Sequence, residues 1–214
     1  MGRLVETLAP DYGANVAGVI GRDDASRPDS WPRADVAVDF STADAVPINA
    51  RRLIDRGVNL VIGTTGWQAH ESSLRDYAAS RPVGIVAAPN FALGVNLFLA
   101  LAARAAELFA ARPEFGSWVH EAHHAAKRDA PSGTALALLE TLKSARFERA
   151  VDVACTRAGS IPGTHTLGFD AAAETITVTH STRDRSVFAR GALEAARWVH
   201  GRRGWFTMKD VLGL

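Results

Sequence analysis

The 214-residue sequence is poor in cysteine and has no excess of either charge. Its single cysteine, Cys155, excludes an intrachain disulfide and fits a reducing compartment, where a buried structural thiol is favoured over a reactive one. With 24 basic and 23 acidic residues the formal net charge is +1, so bulk attraction to nucleic acid or membrane has no support. The N-terminus lacks the apolar core of a signal peptide. These absences favour a cytoplasmic protein that binds neither nucleic acid nor membrane.

Long hydrophobic runs are also few. The most apolar stretch, Phe91 to Ala103, contains Asn96 and is followed by Arg104 and Glu107, so it is too short to span a bilayer and predicts a buried helix. The sequence is nevertheless 47% hydrophobic, which is enough for a sizeable core in one large domain or two small ones.

Short apolar runs alternate with helix signals over the first ninety residues. Strands that are apolar throughout and separated by crossover helices indicate a parallel sheet covered on both faces. The predicted elements of this half are a helix at 2–11, strands at 16–20, 36–40, 59–62 and 83–87, and helices at 43–56, capped by Ser41 or Thr42, and 68–79.

From Phe91 onward the pattern changes to longer helices and alternating strands. Residues 174–180 alternate with period two, which suits a half-exposed antiparallel sheet. We therefore predict an α/β protein with a boundary near Asn90: a Rossmann-like parallel sheet in residues 1–91, to which 189–214 returns, and an α+β domain with a mixed or antiparallel sheet in 92–188. The predicted elements are helices at 94–111, 134–145 and 189–200, strands at 118–122, 151–154 and 174–180, a loop at 159–163 and a tail at 208–212.

Two loops of small residues follow predicted strands of the first half. Gly63-Thr64-Thr65-Gly66 and Ala88-Pro89-Asn90-Phe91 lie at carboxyl ends of strands, where open α/β sheets bind ligands. A tight turn without a ligand explains the first loop equally well. Arg22 follows another predicted strand, and an arginine there suits the 2′-phosphate of NADPH, although a solvated surface arginine is the alternative.

The densest cluster of chemical groups lies between Glu121 and Ala135. It holds the adjacent imidazoles of His123 and His124, which exchange protons near neutral pH, and the ammonium of Lys127, which holds an anion or acts as an acid. Ser132 is predicted to cap a helix whose first N–H groups, at Gly133 and Thr134, form a carboxylate or phosphate site. Each residue alone is explained as an ordinary polar residue or cap, but the set together favours function.

The same segment matches a zinc-protease signature. His120-Glu121-Ala122-His123-His124 has the H-E-x-x-H pattern, which requires a helix so that both end histidines share one face. Trp118-Val119 favours a strand, and Pro131 follows His124 closely. A zinc hydrolase is therefore the less favoured alternative, and we expect no metal.

The run from Glu121 to Ala135 resembles the signature of the bacterial dihydrodipicolinate reductases, now called 4-hydroxy-tetrahydrodipicolinate reductases. The two loops of the first half, followed by Gly94-Val95-Asn96, are similar to that family in the same order. Arg157-Ala158-Gly159 with Pro162-Gly163-Thr164-His165 resembles its later substrate-domain loop. The resemblance covers essentially the whole chain.

The resemblance implies reduction of a cyclic unsaturated dicarboxylate by NADPH or NADH in lysine and diaminopimelate biosynthesis. Residues 1–91 would bind the dinucleotide, and 92–188 would bind the small-molecule substrate and form a homotetramer through their sheets. His123 would be the proton donor and acceptor and Lys127 a second proton donor. The substrate would be held by His124, Gly133 and Thr134, and the cofactor by Arg22, Gly63, Thr64, Thr65, Ala88, Pro89, Asn90 and Phe91.

The start of the chain departs from the family pattern. Family members begin with a strand and a G-x-G-x-x-G turn, whereas this chain begins at Met1-Gly2-Arg3, as if cut within that turn. We expect Met1 to be an internal methionine, the first strand of the sheet to be missing and dinucleotide binding to be weak. The alternative is a catalytically weak fragment or remnant that retains the oligomerisation domain. The loop before Arg157 is also shorter than in many members, which leaves substrate closure open.

Overall fold

The computed structural model describes all 214 residues and divides them into two compact units. Unit 1 comprises Met1–Leu93 and Ser186–Leu214, and unit 2 comprises Gly94–Arg185. The helices are α1 (Gly2–Leu8), α2 (Val46–Asp55), α3 (Glu71–Ala78), α4 (Leu93–Ala110), α5 (Gly133–Ser144), α6 (Ser186–Val199) and α7 (Met208–Leu212). The strands are β1 (Val36–Asp39), β2 (Asn59–Ile62), β3 (Gly84–Ala87), β4 (Gly116–His123), β5 (Val151–Arg157), β6 (Thr164–Ala171), β7 (Glu174–Ser181) and β8 (Gly204–Phe206).

Unit 1 contains the Rossmann-like parallel sheet, with strand order β1-β2-β3-β8. Its central strands are apolar and buried, as expected for a parallel sheet covered on both faces. One face packs on α2 and α3 and the other on α6, so the core forms two clusters, one on each side of the sheet. The strand predicted at 59–62 is confirmed residue for residue, and the short strand β8 went unpredicted.

Three local predictions in unit 1 are wrong. Residues 16–20 form no strand: they are exposed, Val19 by 60%, and no neighbouring strand supplies the hydrogen bonds that a strand requires. Arg22 therefore does not follow a strand, and its position gives no support for contact with a 2′-phosphate. The helix predicted to continue to Asp11 ends at Leu8, where a 3₁₀ turn containing Pro10 follows. Ser41 does not cap α2, because it binds the Asp39 carboxylate instead.

Unit 2 is a mixed sheet packed on α4 and α5. The strand order is β5-β4-β6-β7, with β4 parallel to β5 and antiparallel to β6. Every second side chain of β4 is buried, and Val119, Leu167 and Phe169 pack against Phe98 of α4 and Leu138 of α5. Strand β6 went unpredicted, although the alternation in its sequence THTLGFDA is the period-two signal of a strand.

Helix α4 is long and apolar enough to cross a membrane when only length and composition are considered. One stripe of the helix, formed by Phe98, Ala102 and Ala106, is packed in the core of unit 2. The predicted helix is thus confirmed, but it is buried along one face only, and the exposed face includes Leu101.

Cys155 is exposed, so the prediction of a buried structural thiol is wrong. Its strand, β5, is the edge strand of the sheet, and side chains there are less covered than those of β4 in the same register. Partial desolvation and the neighbouring Glu121 raise the pKa of the thiol, which disfavours the reactive thiolate.

Candidate active site

The end of strand β4 separates the two adjacent histidines. His123 is the last residue of the strand and is buried, whereas His124 lies in the following loop and is exposed. His120 faces the other side of the sheet and contacts Thr156 Oγ1 at 3.0 Å. Because the motif lies on a strand and not on a helix, His120 and His124 do not form the paired ligands of a zinc protease. The zinc-hydrolase alternative is therefore not favoured.

Helix α5 begins where the sequence predicts an anion site. Ser132 is the N-cap, and its Oγ accepts a hydrogen bond from the Ala135 N–H at 3.2 Å. The first helical residues are Gly133, which is exposed, and Thr134, which is half-buried. Their N–H groups have no partners within the helix and lie at the positive end of its dipole. The geometry thus offers a site for a carboxylate.

Glu121 is the centre of a buried network beneath this helix start. Its carboxylate is 0% exposed and accepts the Ser132 N–H at 3.0 and 3.2 Å. Arg157 Nη2 donates to Oε1 at 2.6 Å and also to the Asp129 carbonyl oxygen at 2.5 Å. Burial alone would raise the pKa of Glu121, but the hydrogen bonds from Ser132 and Arg157 lower that pKa to about 2. The carboxylate is therefore ionised at neutral pH.

Two imidazoles lie on the other side of the same carboxylate. Glu121 Oε2 is 3.7 Å from His123 Nδ1 and 3.5 Å from His165 Nε2. The two rings pack edge to face with centroids 5.0 Å apart. Burial lowers the pKa of His123, and burial together with His123 lowers the pKa of His165 to about 4. The imidazole of His165 is therefore neutral near pH 7, and His165 Nε2 lies 3.1 Å from Ser132 Oγ.

Lys127 lies in the loop between β4 and α5. Its Nζ donates to both carboxylate oxygens of Asp129, at 2.8 and 2.9 Å. The Lys127 N–H donates to the His124 carbonyl at 3.1 Å, so the chain turns directly after the strand. The Asp129 carbonyl is in turn held by Arg157, so the network that fixes the helix start also fixes the lysine loop.

Ligand-type atoms of Glu121, His123 and His165 lie within 4.8 Å of one another, the kind of group that holds a metal ion. The Arg157 guanidinium, however, already neutralises the carboxylate at 2.6 Å. A divalent cation would have to displace that charge or bind beside it. The cluster is better described as an ion pair flanked by two imidazoles.

Three residues of the buried network were not predicted as site residues: Glu121, Arg157 and His165. Glu121 lies on β4, 36 positions before Arg157 of β5 and 44 positions before His165 of β6, so no local motif links the carboxylate to either residue. Strand pairing brings these residues together. Glu121 pairs with His165 on one side and with Cys155 on the other, and His123 pairs with Arg157. The alternation of β6 was the one local signal that could have placed His165 on the buried face.

In unit 1, the loop Gly63–Thr65 lies at the carboxyl end of β2. Thr64 Oγ1 donates to Asp39 Oδ1 at 2.9 Å, and the Asp39 carboxylate also binds Ser41, so adjacent loops are tied together. A Cβ at Gly63 would come within 2.2 Å of the Phe40 ring, so only glycine fits there. A cavity of about 280 Å³ opens at this edge. It is lined by Met1, Phe40, Ser41, Thr42, Ala43, Gly63, Thr64 and Thr65.

The other predicted cofactor residues differ in their surroundings. In the loop after β3, Asn90 Oδ1 accepts the Ala92 N–H at 2.9 Å, Pro89 is exposed and Ala88 is half-buried. The Phe91 ring is buried in the core and meets Phe40 edge-on, so its contribution to a ligand site is through the backbone. Arg22 is exposed in an irregular segment.

Together these features define the class of protein: a two-unit α/β oxidoreductase with a Rossmann-like sheet and a separate unit carrying acid–base groups and an anion site. The model of the dihydrodipicolinate reductase N-terminus matches residues 8–91, and that of the C-terminus matches residues 94–212. The chain belongs to the dihydrodipicolinate reductase family.

Curated relatives agree with this family, and one solved structure shares the fold. The 4-hydroxy-tetrahydrodipicolinate reductase of Myxococcus xanthus is 40% identical over 225 aligned positions, covering 94% of this chain and 82% of that protein. The enzyme of the same name from Acidiphilium cryptum is 40% identical over 235 positions, covering 100% and 94%. The dipicolinate-bound dihydrodipicolinate reductase of Paenisporosarcina sp. has a similar fold, with a TM-score of 0.70 and 24% identity over 81% of this chain and 71% of that one. Similarity across both halves does not favour the alternative of a non-catalytic remnant.

Proposed function

We propose that this protein is a 4-hydroxy-tetrahydrodipicolinate reductase that acts in lysine and diaminopimelate biosynthesis. The observation that carries the proposal is the Glu121 carboxylate, which binds the Ser132 N–H at the start of α5 and lies 3.7 Å from His123 Nδ1. A carboxylate site and a proton-transfer imidazole are thus neighbours within unit 2. A cyclic dicarboxylate needs both groups, one to hold it and one to protonate it.

In this proposal the residues of unit 2 bind the substrate and move the proton. The N–H groups of Gly133 and Thr134 hold one carboxylate, and the exposed imidazole of His124 contributes to binding. His123 delivers a proton to the carbon next to the one that receives hydride, and its imidazolium becomes a neutral imidazole. Lys127 is a second proton donor, and its release from Asp129 would accompany that role. The double bond is thereby reduced by one hydride and one proton.

NADPH or NADH supplies the hydride when bound. The residues of unit 1 fit such a group: the cavity beside Gly63, Thr64 and Thr65 opens at the carboxyl edge of a parallel sheet, where such sheets bind nucleotides. We assign cofactor binding to that loop and to Ala88, Pro89, Asn90 and the Phe91 backbone. Ser41 and Thr42 line the same cavity and extend this set.

The open face of the unit 2 sheet supports the proposal of a homotetramer. Trp118 lies there against Gly168, among the hydroxyls of Thr166, Thr177 and Thr179. This face is not covered by α4 or α5, and a large aromatic residue in its centre is typical of an interface. We also propose a cytoplasmic location, because the single cysteine fits a reducing compartment.

The test is reduction of 4-hydroxy-tetrahydrodipicolinate by the purified chain, followed by loss of NADPH absorbance. His123→Asn and Lys127→Met are each expected to lower kcat by about a hundredfold or more, the usual contribution of a general acid. The control is His70→Asn, an exposed histidine of unit 1. Turnover that survives both substitutions would contradict the assigned roles, and absence of turnover in the unaltered protein would contradict the proposed function.

A further inference from the structure

We infer that Glu121 is a positioning residue for proton delivery. Its carboxylate orients the His123 ring with Nδ1 toward the protein interior, so that the proton leaves from Nε2. The positive charge of Arg157 weakens the attraction between this carboxylate and the imidazolium. The inference deepens the proposed function and rests on it. Nothing in the local sequence indicates it, because the three side chains come from the ends of two strands that pair in space.

The orientation of His123 follows from its surroundings. Nδ1 is buried and makes no hydrogen bond within the protein, and Glu121 Oε2 lies 3.7 Å away, close enough for the carboxylate charge to act on the ring. Nε2 lies on the opposite side, next to Gly163, where an added Cβ would come within 3.2 Å of it. Glycine at 163 therefore leaves room beside the nitrogen that must meet the substrate.

The Glu121 carboxylate is rigidly held, which is what a positioning role requires. The Ser132 N–H and Arg157 Nη2 fix its Oε1, and its complete burial prevents water from replacing either partner. When the His123 imidazolium loses a proton from Nε2, the remaining proton stays on Nδ1 and faces a carboxylate. The product tautomer is thus stabilised, as in other carboxylate–histidine pairs.

Every charged or titratable group packed around His123 affects the equilibrium between its imidazolium and its neutral form. From β4, Glu121 favours the imidazolium, and from the following loop Asp129 does so more weakly. Lys127 of that loop and Arg157 at the end of β5 disfavour it. His165 of β6, against the His123 ring, is itself flanked by His180 of β7. Burial outweighs the carboxylates, so the pKa of His123 is lowered overall, and it would fall further without Glu121.

Opposite changes at the two partners of the ion pair should therefore move the His123 pKa in opposite directions. Glu121→Gln removes the attraction and leaves the Arg157 charge, which lowers the pKa of His123 further. Arg157→Gln removes a repulsion and raises that pKa. A purely structural role would disturb the site in the same sense in both variants.

The experiment is an NMR titration of the imidazoles in the full chain, with the His123 signals identified by their loss in His123→Asn. The kcat of the reductase is measured over the same pH range, together with the affinity for dipicolinate. For Glu121→Gln we expect kcat near neutral pH to fall about tenfold per unit of lowered pKa. Dipicolinate affinity should stay within about fivefold, because glutamine still accepts the Ser132 N–H.

Three further variants keep the test decisive. Glu121→Asp retains the charge and should reverse part of the decrease in the His123 pKa. Arg157→Lys should leave that pKa near its value in the unaltered protein. Glu140→Gln, on the exposed face of α5, is the matched control. An unchanged His123 pKa in Glu121→Gln, or shifts of the same sign in Glu121→Gln and Arg157→Gln, would overturn the inference. If the unaltered protein shows no reductase activity, the proposed function fails while the titration still decides the role of Glu121.

Discussion

Replacing His165 with glutamine should remove a defined part of the acid sensitivity of unit 2. The pKa of His165 is lowered from 6.5 to about 4, chiefly because the imidazole is buried. The unfolded chain binds a proton there below pH 6.5, whereas the folded chain does so only below about pH 4. Lowering the pH through this interval therefore favours the unfolded state, and the free energy of unfolding decreases progressively.

The lowered pKa of His165 corresponds to about 3 kcal/mol of unfolding free energy, lost between pH 6.5 and about pH 4. Glutamine does not titrate, and its amide still reaches the Ser132 hydroxyl, so the variant should lose that much less stability over the same interval. Some pH dependence remains, since burial also lowers the pKa of His123.

Native-state hydrogen exchange of amides in β4 and β6, corrected for intrinsic rates at each pH, reports the opening free energy of unit 2 separately from unit 1. His70→Gln, an exposed histidine in unit 1, should follow the unaltered protein. The reasoning is refuted if the unaltered protein and His165→Gln lose stability in parallel as the pH falls, because His165 would then titrate alike in the folded and unfolded states.

Three other substitutions test the packing around the sites. Ser132→Ala removes the cap of α5 and should cost about 1 kcal/mol in urea unfolding and weaken dipicolinate binding, whereas Ser132→Asn should restore the cap. Gly168→Ala places a Cβ within 2.2 Å of the Trp118 ring and should lower the free energy of unfolding by about 1–3 kcal/mol. Light scattering should also show a changed assembly state. An unchanged Tm and an unchanged mass of the assembly would contradict this prediction. Gly63→Ala collides with Phe40 and should weaken NADPH binding in calorimetry, whereas Gly57→Ala, which meets nothing within 4 Å, should affect stability but not affinity.

Much of the fold could be predicted because its signals are local. The four apolar residues of β2 are bounded by turn residues, and the matching strand is observed at the predicted positions. Ser132 before Gly133 and Thr134 predicts a helix start with a capped first turn, and α5 begins there. Helix α4, predicted at 94–111, is observed at Leu93–Ala110 and is longer than the apolar run 91–103. In each case hydrogen bonds within a few residues, or a run long enough to cross the core, determine the structure.

The sequence-based predictions are wrong where a segment that is adjacent in space determines the structure. Val16 to Ile20 has the composition of a strand, but without an adjacent strand its backbone groups stay exposed to water. Cys155 has the hydrophobic character of a core residue but lies on the edge strand β5. Burial and pairing depend on what lies beside a segment in space, and composition carries no such information.

For the site, the sequence by itself determined the chemical groups and the helix start that presents N–H groups to an anion. It did not determine which acid acts on which histidine. Glu121, Arg157 and His165 meet only because β4 pairs with β5 on one edge and with β6 on the other. Coulombic and hydrogen-bonding energies fall steeply with separation, so the pKa values and the proton path depend on distances of 2.6 to 3.7 Å that tertiary structure alone creates.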